Sequence, residues 1–159
     1  MIRAPWRPTS AQAALPSADV LLASAGQPFT DAAIKEAVRL ARDGGPKVSR
    51  IRVITVARIH GSSFGLQHPG LMPNKREKDA AQAIVTRAIR SLQQAGLKAD
   101  GEIAITRSPA NSFARSARSA GAAHLVLNTP PGRPLAGLGA QVMARYLQFR
   151  LREVTLAVT

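Results

Sequence analysis

The sequence predicts an α/β fold, a single doubly wound, five-stranded parallel sheet flanked by helices. Three observations predict it. Short, continuous apolar runs alternate with longer segments of helical periodicity, the runs read as strands buried on both faces, and Gly or Pro punctuates nearly every junction. The stretch ADVLLASAGQPFTDAAIKEAVRLARD, Ala18 to Asp43, organises the rest. Val20 to Ala23 is too continuously apolar for a strand with one wet face. Ala25, Gly26 and Pro28 form a turn, and Thr30 offers its side-chain oxygen as N-cap. Phe29 stands at the staple position and Asp31 falls in the first helical turn. Ile34, Ala37, Val38 and Ala41 then share one helical face. Gly26 lies at the carboxyl end of its strand, where open α/β sheets place ligands.

The remaining elements follow in order. Gly44, Gly45 and Pro46 stop the first helix. Ile51–Ala57 reads as a β-branched, buried second strand. His60 to Lys75 is a Gly-, Pro- and Ser-rich loop, long for a compact domain. Glu77–Ala95 forms the second helix, with Ala81, Ile84, Ala88, Leu92 and Ala95 on one face and Gly96 after it. Glu102–Thr106 is a short third strand whose polar start suits a sheet edge. Ser108 and Pro109 open the third helix as N-cap and first residue, Phe113, Ala117 and Ala120 face inward, and Gly121 closes it. Leu125–Leu127 is the fourth strand, followed by the Gly- and Pro-rich segment Asn128–Gly139. A fourth helix spans about Ala140 to Phe149, with Met143 and Leu147 on one side and Val142, Tyr146 and Phe149 near the other. Val154–Val158 is the fifth strand, an edge that a second copy could pair with to form a homodimer.

Composition bounds the function. The 159-residue chain is 45% apolar but only 4% aromatic, so its core is built from small and aliphatic side chains. It has no cysteine, which excludes disulfides and thiolate metal sites. No apolar run is long enough to span a membrane. Residues 1–17 carry Arg3, Arg7 and three prolines without a continuous apolar stretch; they read as a flexible leader preceding an 18–159 domain, and the protein reads as cytoplasmic. Lys and Arg total 22 against 9 acids, a formal +13 that attracts anions. Yet 17 of the 22 are arginines dispersed along the chain, with no aromatic-interleaved basic stripe, so nucleic acid is not the expected partner.

Four stretches carry a family resemblance: VLLASAGQP, the helix–strand–loop–helix succession after it, TRSPANSFARSARSAGAAHLVLNTPPG, and GLGAQVMARY before LREVTLAV. In order and spacing, from about Asp19 to Thr159, they resemble the universal stress protein family. The resemblance implies a parallel sheet of order 3-2-1-4-5, adenine nucleotide at its carboxyl edge in some members, and dimerisation through the last strand. It also assigns a candidate pocket: Ala25, Gly26 and Gln27 after the first strand, Val56 at the end of the second, and Thr129, Gly132, Arg133, Gly139 and Ala140 for the phosphates.

Those positions depart from the nucleotide-binding pattern. Ala25 stands where the family has Asp, and Gln27 replaces Ser. Thr129 replaces the first glycine of the phosphate motif, the Gly132-to-Gly139 spacing is three residues shorter, and Ala140 replaces the hydroxyl residue. Arg107 and His124 stand in place of a usual Gly and Asp. Glycines let backbone N–H groups approach phosphate, and a hydroxyl adds a donor, so these losses weaken a triphosphate cradle. Arg133 is the side chain best able to compensate. The expected function is therefore a non-enzymatic, dimeric stress-response or regulatory domain with an altered adenine-nucleotide pocket. No resident cofactor is expected, and ATP or AMP would be a weak ligand. The alternatives are an ATP-binding switch with slow or no hydrolysis, and a protein-interaction or anion-binding module. His60 and His68 lack neighbouring ligands for a metal, His124 reads as a packing residue, and the serines show no nucleophile elbow.

Overall fold

Five strands and four helices alternate through the part of the chain that a computed structural model describes, residues 17–44, 49–58, 73–129, 134–151 and 154–159. They are β1 (Val20–Ser24), α1 (Asp31–Asp43), β2 (Arg50–Arg58), α2 (Lys75–Gln94), β3 (Lys98–Thr106), α3 (Pro109–Ala120), β4 (His124–Leu127), α4 (Pro134–Arg150) and β5 (Thr155–Val158). The sheet is parallel in the order β3-β2-β1-β4-β5, as the resemblance implies. Residues 1–16 of the leader, Gly45 and Pro46, most of the His60–Lys75 loop, and Gly132 and Arg133 lie outside the described residues.

β1 is continuously apolar because both of its faces are covered. Leu21 and Ala23 join Ile54, Val56, Leu125 and Leu127 beneath α3 and α4. Val20 and Leu22 join Val53 and Val126 beneath α1 and α2. The helices meet the sheet largely through alanine, at Ala33, Ala37 and Ala41 of α1 and Ala114, Ala117 and Ala120 of α3. Short side chains let helix and strand approach closely, which is how a chain poor in aromatics fills its core.

The buried faces are rotated slightly from expectation. α1 buries Ala33, Ala37, Leu40 and Ala41, while Ile34 and Val38 are only half buried and line a shallow groove that includes Ala95, just after α2. The larger residues fill the gap between helices and the alanines take the tight contact. α2 buries Val85, with Ile84 half buried, because Val85 covers Gly101 of β3; a Cβ at Gly101 would stand 2.3 Å from Val85 Cγ1.

Three boundaries move by two residues or more from the sequence reading. α2 begins at Lys75, because Asn74 and Glu77 form a reciprocal capping box that starts the helix earlier. β3 runs for nine residues from Lys98, not five from Glu102. Its polar start is absorbed by cross-strand pairing: Asp100 lies beside Arg52 of β2 and accepts from Arg52 Nε at 3.3 Å. Arg52 is fully buried, a cation within the β-branched run of β2. α4 begins at Pro134, not near Ala140; proline at the first helical position has its φ already set for a helix and no N–H to leave unpaired.

Candidate functional site at the carboxyl edge

The chain reverses direction across the sheet at β1, whose neighbours are β2 on one side and β4 on the other. In open α/β sheets the crevice beyond the carboxyl ends of such a strand pair receives ligands. Here that crevice is bridged by one side chain. Asn128 directly follows β4, and its backbone N–H donates to Ala23 O at 2.9 Å, extending the ladder with β1. Its carboxamide then reaches across to the segment before α1. Oδ1 accepts from the Thr30 N–H at 2.9 Å and Nδ2 donates to Pro28 O at 3.0 Å. Asn128 is buried.

The opposite wall of the crevice is the turn after β1. Ser24 Oγ accepts from the Gln27 N–H at 3.1 Å, and Thr55 Oγ1 donates to Ser24 O at 3.3 Å, so the turn is tied both to itself and to β2. Gly26 adopts φ +87°, and a Cβ there would lie 2.9 Å from Val56 O. Both the left-handed conformation and the close approach require glycine. The turn is thus pressed against the end of β2, which brings the predicted residues Gly26 and Val56 together. Ala25 turns its methyl toward the apolar layer beneath α3 and α4, where the resemblance has a carboxylate. Gln27 is exposed.

Donors that a helix N-terminus could offer an anion are partly spoken for. Thr30 Oγ1 accepts from Ala33 N at 3.2 Å, and the Thr30 N–H is held by Asn128. Gly139 and Ala140 stand in the second turn of α4, so they do not form its N-terminus as the sequence reading had it. At that depth a backbone N–H belongs to the helix ladder, and the free donors sit in the first turn instead. Thr129 donates its backbone N–H to Thr159 O at 2.6 Å, and the hydroxyl oxygens of Thr129 and Thr159 are buried with no hydrogen-bond partner among the described residues. His124 lies at the amino end of β4, away from the crevice. On the surface of α1, hydrogen bonds from Arg39 hold Glu36 below the usual carboxylate range.

No protein-family model matches the chain, and no curated protein matches it. Solved structures do. A protein of the universal stress protein family from Burkholderia pseudomallei superposes with a TM-score of 0.61 at 16% identity, over 88% of this chain and 93% of its own. The universal stress protein from Archaeoglobus fulgidus in complex with dAMP gives 0.59 at 14% identity, over 91% and 98%. A universal stress protein family protein from Arabidopsis thaliana with AMP bound gives 0.57 at 12% identity, over 90% of each chain. This chain has the universal stress protein fold. The resemblance carried by its motifs therefore holds at the level of fold, from β1 to β5, while the identities are too low to transfer residue roles.

Within the universal stress protein fold, Asn128 is the residue that sequence reading missed. Its signal was an Asn immediately after an apolar strand and before Thr-Pro-Pro-Gly, a position where a carboxamide can pair with backbone. Asn128→Ala removes both cross-crevice bonds and is expected to cost about 1–3 kcal/mol of stability, read as a lower urea midpoint with an unchanged slope.

Proposed function

We propose that this protein is a stress-response or regulatory domain that acts by binding, without catalysis, as a homodimer with an altered adenine-nucleotide pocket. The observation that carries the reading is the Asn128 bridge. A ligand lying across the carboxyl ends of β1 and β4 must displace or skirt a buried carboxamide that already satisfies Thr30 N–H and Pro28 O. The Ala25 methyl offers no polar contact in compensation, and Gly139 lies within α4 rather than at its start.

The site nevertheless keeps some affinity for a polar ligand. The buried hydroxyl of Thr129 adjoins the end of β4 and has no partner among the described residues, and a buried hydroxyl in that state gains from any ligand that supplies one. Structural neighbours crystallised with AMP and dAMP make a nucleoside monophosphate the natural candidate. In this reading Thr129 and the first turn of α4 meet the phosphate, and the Gly26 turn and the end of β2 border the base. Isothermal titration is expected to give AMP a dissociation constant above about 100 μM, with ATP and magnesium no better. Micromolar, magnesium-dependent ATP binding overturns the altered-pocket reading.

Dimerisation through β5 rests on its position. β5 pairs with β4 on one side only, and Val158 at its end is half exposed. Edge strands of this kind pair with a second copy to satisfy their outer backbone groups. Sedimentation is expected to show a dimer that Val158→Asp weakens; a monomer at every concentration removes the dimer from the account.

A further inference from the structure

The layer formed by α3 and α4 differs chemically from the rest of the molecule. From Ile103 through Arg152 the sequence holds seven arginines and no Asp or Glu. Three of those arginines line one groove of about 540 Å³ between the two helices: Arg115 and Arg118, one turn apart on α3, and Arg150 at the end of α4. Internal contacts hold the groove in shape. An Arg118 Nη donates to Arg150 O at 2.7 Å, the Arg150 guanidinium sits 5.4 Å from the Tyr146 ring centre, and the Tyr146 hydroxyl bonds Asn111. Arg115 has no hydrogen-bond or ion-pair partner among the described residues. Glu102, which approaches α3 from β3, is already engaged by Ser116 Oγ at 2.8 Å.

Beside this positive groove runs an apolar line. Val142 and Phe149 are 69% and 71% exposed, and with Tyr146 they fall at i, i+4 and i+7 on α4. Most surface helices bury such a line; α4 instead buries Ala144 and Leu147 against the sheet and leaves this second side outward. An apolar line bordered by cations on one side is the complement of an amphipathic helix with carboxylates flanking its apolar face.

We infer that the α3–α4 face is a docking surface for an acidic amphipathic helix of another protein, whose apolar residues cover Val142 and its neighbours and whose carboxylates meet Arg115, Arg118 and Arg150. A second copy of this chain fits the face poorly, because a two-fold contact would set arginines against arginines with no acid to intervene. A nucleic-acid strand would pair with the arginines but leave the apolar line exposed. The inference is independent of the nucleotide reading, since the groove belongs to the outer helical layer.

The test is fluorescence anisotropy of the full chain with a labelled model helix of about 20 residues, with Leu at helical spacing and Glu on both flanks. The peptide is expected to bind in a salt-sensitive manner, and its Lys-for-Glu counterpart not at all. Arg115→Glu, which breaks no bond among the described residues, and Val142→Asp are each expected to weaken binding about fivefold or more, with circular dichroism and AMP affinity unchanged. Three results overturn the inference: peptide binding that neither variant alters, oligo(dT) binding as tightly as the Glu peptide and lost in Arg115→Glu, or a dimer that Val142→Asp dissociates while peptide binding persists.

Discussion

The carboxyl edge of this protein depends on one tie, the carboxamide of Asn128 held between the Thr30 N–H and Pro28 O. It joins residues about a hundred positions apart in sequence and bridges the carboxyl end of β4 to the entry of α1. A side-chain amide is well suited to this, because it donates and accepts at once and so satisfies one N–H and one carbonyl of an irregular segment. The tie also fixes the entry to α1, since Thr30 uses its backbone N–H for Asn128 and its hydroxyl to cap Ala33. One carboxamide thus ties the end of a strand to the start of a helix.

Further contacts hold the turn at this edge. Gly26 lies against Val56 O and Thr55 reaches Ser24 O, which leaves the β1 turn held by β2 on one side and by Asn128 on the other. Further from the edge, Gly101 lets α2 rest directly on β3, and the buried Arg52 is matched to Asp100 in register. A fully buried guanidinium is costly to hold, and its pairing with a neighbouring strand ties the edge strand β3 to the rest of the sheet. The same edge strand is thereby longer than its apolar residues alone suggest.

Much of the fold was legible in the sequence because its signals are local. β1 reads as buried from VLLAS, Thr30 as a cap from its place before an apolar-periodic run, and Gly96 and Gly121 as helix ends from theirs. What was not legible depends on contacts between distant segments. Nothing local says that Arg52 is buried, because Asp100 lies nearly fifty residues away. The start of α4 was misplaced because glycines at 137 and 139 look like loop residues, yet Pro134 and the packing of Leu147 and Leu151 carry the helix past them. The candidate site was legible only in part. Gly26 and Val56, both assigned to the pocket by the resemblance, lie side by side, but the cross-link made by Asn128 shows only when the turn before α1 is seen beside it.

The most direct measurement of this tie is amide hydrogen exchange at Thr30. A helix-entry amide with no partner but water exchanges rapidly, whereas one held by a buried carboxamide is protected to nearly the level of the β1 ladder. The account predicts strong protection of Thr30 in the wild-type protein and its loss in Asn128→Ala, with the β1 amides little changed. Rapid exchange at Thr30 in the wild-type protein would contradict it, since the crevice would then be open to solvent and free to take a ligand.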